Sequence, residues 1–360
     1  MEPPPAALKF LPGDVENRGN TAIFWKDTSL YLTNTNLLFC KYIFSAKMAK
    51  SFFSTPSQSL SFKFREASFD LLTDFLVDLN DRNKDNLNSL SKCSGVFKDT
   101  KLMEYIFLIT QDLGLDPLAG YHAIEFLQRF MVKHLTDLLT TPTLEGAAAD
   151  RPGSHEEAVL AKLKDKFPLI VFSCVQLASK LSLHSHIIDN NTAVRFLQSV
   201  GHRVSKQTLL ESELMVLKGL EFRLNAPNPL TYVEILLEVL GHNEPSIPVE
   251  RLHQLCHLVL QFVSLQRAAI YDSLLVTTTR CVSPSAEHRE RFVTVTEDCM
   301  LVGVGVIAVA TFILYVRNWE QVVGELSHIT GISRRSISDF THVTLMHIVG
   351  TSSSVTSTRV

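Results

Sequence analysis

From Cys299 to Val316 the chain runs eighteen residues without a charge. A helix that apolar on every side belongs inside a helical bundle or in a bilayer, and eighteen residues is the length at which a membrane span has to be weighed. Gly303, Gly305, Ala308 and Ala310 leave this run little bulk for facing lipid alone, and suit it to helices that approach closely. A second apolar run, Leu169–Leu181, is punctuated by Ser173, Gln176, Ser179 and Lys180, which makes spanning implausible there. The two runs occupy similar places in two halves of roughly 120 residues each. They predict two buried central helices, each wrapped by others, and no membrane partner.

The flanking sequence supplies the wrapping. Phe69, Leu72, Phe75, Leu76 and Leu79 recur three or four apart, the period of an amphipathic helix, which the polar stretch Asn80–Asn88 is expected to end. Leu102–Ile109 and Tyr121–Met131 carry further stripes, and Asp116-Pro117 reads as a helix start with proline in the first turn. Residues 140–157 read as a loop, 158–182 as helix, Thr192–Val200 as helix, and Ser205–Glu221 as a helix capped by Ser205. Ala226-Pro227-Asn228-Pro229 then marks a boundary. Beyond it, helices are expected at 232–240, 248–265, 299–316, 319–330 and 333–349, with a polar loop over 276–291. The predicted division is a variable or disordered leader at 1–65, a helix and linker at 66–97, helical domains at 98–225 and 226–349, and a Ser/Thr-rich tail at 350–360. The period is too long for a solenoid and reads as a duplicated all-α domain.

Composition removes several functions. Hydrophobic residues make up 46% of the 360, enough for a large core, and a net charge of −3 argues against a surface made to grip nucleic-acid phosphates. Six cysteines, none paired as Cys-x-x-Cys, suit a reducing compartment, with Cys174, Cys256 and Cys299 as buried structural thiols. Gly303–Ala308 matches the dinucleotide fingerprint GxGxxA, but that motif works only between a strand and a helix, and helical patterns flank it. His184-Ser185-His186 has no third ligand at metal-binding spacing, and Thr55-Pro56 is a kinase-site pattern common by chance. With no phosphate loop, zinc-protease motif or nucleophile elbow, the sequence predicts no enzyme, no cofactor and no metal.

Particular segments resemble the cyclin family. Val175–Leu181 resembles the central helix of a cyclin box, small residues followed by Lys180. Leu210–Pro227 resembles the fifth helix and its exit into a second box, and Phe126–Phe130 the second helix. Thr330-Gly331-Ile332 followed by Ser338 looks like the end of a second box. The resemblance covers about 98–349 and implies tandem five-helix cyclin boxes. Its details point to a divergent branch with a role in meiotic recombination, where maturation of intermediates into crossovers is promoted. Implied with it are a location in the nucleus on meiotic chromosomes and also in the cytoplasm. The implied partners are a cyclin-dependent kinase, replication factor C subunits, ubiquitin-conjugating machinery and chromosome-associated recombination proteins. The alternative is a cyclin-type subunit that activates a cyclin-dependent kinase in the ordinary cell cycle.

Two residues carry over by position. In cyclins a central-helix lysine and a fifth-helix glutamate pair beside the kinase; Lys180 and Glu213 match them, as a kinase interface or as a structural ion pair. They lie thirty-three positions apart and meet only if two helices pack. Other positions depart from the family. The substrate-docking arginine is expected at Asp99 and its acidic partner at Gln128, while Ser182 and Leu183 stand where acidic residues follow the lysine. These changes argue against docking of Arg-x-Leu substrates and for an adaptor with altered surfaces.

Overall fold

Most helices open on a side chain that accepts from free backbone N–H groups of the first turn. In the computed structural model, which describes residues 63–91, 93–140, 154–182 and 187–356, these openings set out thirteen α-helices and, among the described residues, no strand. The first is α1 (Phe69–Asn88), capped by Ser68. Then follow α2 (Thr100–Asp112), capped by Asp99, and α3 (Pro117–Thr140), which starts at the expected proline. The long α4 (Ser154–Leu181) precedes α5 (Asn190–Ser199), capped by Asp189, and α6 (Lys206–Gly219), capped by Ser205 as the sequence implied. The second half holds α7 (Pro229–Asn243), α8 (Val249–Leu265), α9 (Arg267–Thr279), α10 (Ala286–Thr296), α11 (Cys299–Leu314), α12 (Trp319–Thr330) and α13 (Arg334–Thr356).

The apolar residues form two cores. Phe97, Ile106, Phe126, Phe130, Phe172 and Val175 anchor one, with α4 packed against α2, α3 and α6. In the other, α11 is the axis, with α7, α8, α12 and α13 against it. Every residue of α11 from Cys299 to Thr311 is buried. Among the described residues no single helix is long and apolar enough to cross a membrane. The architecture is all-α, with two helical packings in tandem, as the cyclin resemblance implies.

Several segments differ from their sequence reading, among them 154–157, which begins α4, and 350–356, which extends α13. The polar stretch Asn80–Asn88 continues α1 instead of ending it, because its amides face the second core. Asn83 donates to Asp298 Oδ1 at 2.9 Å and accepts from the Cys299 backbone N–H at 3.0 Å, while Tyr232 donates its hydroxyl to the Leu79 carbonyl at 2.9 Å. The stretch 276–291 holds the end of α9 and the start of α10, so the second half adds two helices to the five expected. Its polarity reflects exposure: α10 has no buried residue. Finally, Phe64 is buried and Arg65 donates to the carbonyls of Gly241 (3.0 Å) and Ile247 (2.7 Å), which anchors the approach to α1. Residues 1–62, with Thr55-Pro56, and His184 and His186 lie outside the described residues, as does 141–153.

Candidate interaction site

The packing of α4 on α6 brings the two carried-over residues together. Ser173 and Ser212, both buried, share a hydrogen bond of 2.8 Å between these helices. Small side chains there let the axes approach, and seven residues further along α4 Lys180 Nζ meets Glu213 Oε1 in an ion pair. The partners are unequally placed: the Glu213 side chain is 8% exposed and that of Lys180 38%. The carboxylate is built into the fold, and the ammonium leads from it to solvent.

The surroundings are apolar and open. Leu210 and Leu214, at positions i−3 and i+1 from Glu213, are 43% and 45% exposed, and Leu181 beside Lys180 is 42% exposed. Leu210 and Leu214, four residues apart, share one exposed face of α6. An ion pair with exposed leucines on both of its helices can dock a helix whose apolar side covers them while its backbone or polar groups bond the lysine.

The other carried-over positions take different jobs. Asp99 caps α2, accepting from the backbone N–H groups of Lys101 (3.1 Å) and Leu102 (3.2 Å). Gln128 is buried, accepting from Phe97 N–H at 2.7 Å and donating to the Cys93 carbonyl at 2.9 Å. The charge sits nearby. Lys98 donates to Glu125 Oε1 at 2.5 Å and to Glu297 Oε2 at 2.7 Å, and Arg267 holds the other Glu297 oxygen at 2.7 Å. Burial works against the charge on Lys98, but the carboxylates of Glu125 and Glu297 outweigh it and hold the ammonium charged beyond its usual range. Burial would likewise raise Glu297, yet Lys98 and Arg267 hold it below the usual carboxylate range. This network joins the first half to the second. Sequence reading missed it because Glu297 lies 199 positions from Lys98; only the Lys98–Glu125 spacing from the start of α2 to α3 was within reach.

No family model matches the chain. Two curated proteins do. Cyclin N-terminal domain-containing protein 1 of Mus musculus is 40% identical over 289 residues, covering 80% of this chain and 86% of the relative. Its Homo sapiens counterpart is 41% identical over 291 residues, covering 81% and 88%. The chain belongs to the cyclin N-terminal domain-containing protein 1 family. A cyclin-like protein of this family is therefore what carries the Lys180–Glu213 pair, and the cyclin resemblance of its segments extends over most of its length.

Proposed function

We propose that this chain is a non-catalytic cyclin-like interaction protein that promotes the maturation of meiotic recombination intermediates into crossovers, working in the nucleus on meiotic chromosomes. Support comes from its family, from the meiotic branch that its segments resemble, and from one geometric observation. The Lys180–Glu213 pair joins α4 to α6 with its lysine 38% exposed, and Leu181, Leu210 and Leu214 are exposed on the same two helices. The face takes a cyclin-dependent kinase, and other surfaces recruit replication factor C subunits, ubiquitin-conjugating machinery and recombination proteins. A presence in the cytoplasm and a link to cell-cycle progression belong to the same reading. The second reading, activation of a kinase in the ordinary cell cycle, draws on the same pair.

Affinity purification from meiotic cells, with partners identified by mass spectrometry and kinase activity assayed in the eluate, separates the two. Recombination proteins are expected with the wild-type chain. Lys180→Ala with Glu213→Ala is expected to deplete the kinase while changing stability by about 1 kcal/mol or less, as for a half-exposed pair. Recovery of an active kinase from dividing somatic cells without recombination proteins would favour the second reading. Aggregation of the double variant would make the pair structural and remove the interface.

A further inference from the structure

His253 and His257 stand four residues apart on α8 and so share a face, and Glu234 reaches the same place from α7. His253 Nε2 lies 3.3 Å from Glu234 Oε1 and 3.0 Å from His257 Nε2. One ligand atom from each residue falls within 4.8 Å of the other two. All three side chains are half-buried at the rim of the second core, where Leu252, Cys256 and Leu260 of α8 turn inward. The ring of Phe64 packs edge-on against His253 at 5.3 Å, so the anchored approach to α1 covers one side of the cluster.

Protons alone serve this arrangement poorly. An imidazole Nε2 offers either a hydrogen or a lone pair. If His257 donates to His253, then His253 turns a lone pair towards the Glu234 oxygen. If His253 donates, a single hydrogen is divided between a carboxylate and a ring nitrogen. A cation accepts all three lone pairs at once. Around a tetrahedral zinc ion with bonds of about 2.0–2.1 Å, neighbouring donor atoms stand about 3.3 Å apart, close to the 3.0 and 3.3 Å contacts here.

We propose that Glu234, His253 and His257 form a zinc-class divalent metal site that clamps α7 to α8. Two imidazoles and a carboxylate without a thiolate are the donor set of a borderline ion such as Zn²⁺, and three protein donors leave a fourth position for water or for a donor from a partner protein. The clamp sits where residues 64–65 rest on the second core, so metal binding ties the approach to α1 to the α7–α8 pair.

The test uses the full chain, stripped with a chelator and then titrated separately with Zn²⁺ and Co²⁺. One metal per chain is expected to survive gel filtration, with a rise in melting temperature and the intense visible absorption of four-coordinate Co²⁺. His257→Gln and Glu234→Gln are each expected to lose the retained metal and the melting shift while the metal-free proteins melt close to wild type. No retained metal in the wild-type chain overturns the proposal, as does pale six-coordinate Co²⁺. So does a metal that both variants still hold, since the ion then sits elsewhere among the thirteen histidines. If both variants unfold, stoichiometry and the Co²⁺ spectrum of the wild-type chain decide.

Discussion

His122 on α3 shows what one residue can encode. Its Nδ1 is buried without a hydrogen-bond partner and its ring stacks on Phe126, with centroids 5.8 Å apart. Burial pushes its pKa down to about 4 from 6.5, outweighing the pull of Asp116 in the other direction. As pH falls below 6.5 the unfolded chain takes up a proton that the folded one refuses until about pH 4. The unfolded state therefore binds more protons in that window, and stability drops as pH drops through it. His122→Phe should flatten this loss when urea melts at pH 7 and pH 5 are compared; an unchanged pH dependence would show that the ring is not the cause. None of this was legible from the chain alone, because burial of a histidine on a stripe is settled by what packs over it. Lys180 and Glu213 stood out in the sequence only through resemblance, and their meeting required α4 to lie on α6. By contrast the His253-x-x-x-His257 spacing is a signal that the sequence did carry, although Glu234 could not be attached to it without the fold.

At the scale of the element, caps and periodicity located most helices, since Ser205, Asp116-Pro117 and the repeating leucines act within one or two turns. The misread stretches failed for one reason. Asn80–Asn88 and 276–291 are polar, and polarity reports the absence of apolar burial, not the absence of a helix. α11 shows the converse, a helix whose glycines are set by its neighbours. A Cβ on Gly305 would fall 2.3 Å from Phe340 Cδ1 of α13, whereas on Gly303 it would stand 3.0 Å from Leu236 Cδ1. Alanine gains up to about 1 kcal/mol of helix propensity over glycine, and overpacking a close-packed core costs about 1–3 kcal/mol. Crowding wins at 305, where a ring must move, and is milder at 303, where the end of a leucine can turn while Tyr232 Cβ at 3.2 Å stays close. Gly305→Ala should thus lower the melting temperature clearly more than Gly303→Ala; equal melting of the two would place α13 differently.

Across the whole molecule, the two cores are joined by charge as well as by packing. Glu297 at the end of α10 holds Lys98 ahead of α2 and Arg267 at the start of α9, and Arg267 also sits 5.1 Å over the Tyr271 ring. Glu297→Ala takes the carboxylate from Arg267 and leaves Lys98 with Glu125 alone, and should cost about 3–5 kcal/mol in denaturant melts. Because Glu297 is held below 4.5, its contribution is present above that pH and fades as pH falls through the lower folded value. A loss below about 1 kcal/mol would mean water reaches the network and screens it. The all-α class, the two central helices and the caps that start their neighbours are readable in the chain, since apolar periodicity and capping are local and survive without knowledge of the fold. Packing is what leans α1 on the second core, makes Lys98, Glu125, Arg267 and Glu297 converge, and joins Glu234 to two histidines. Those depend on helices distant in sequence packing at particular angles, and the angle is a property of all the side chains at the contact at once.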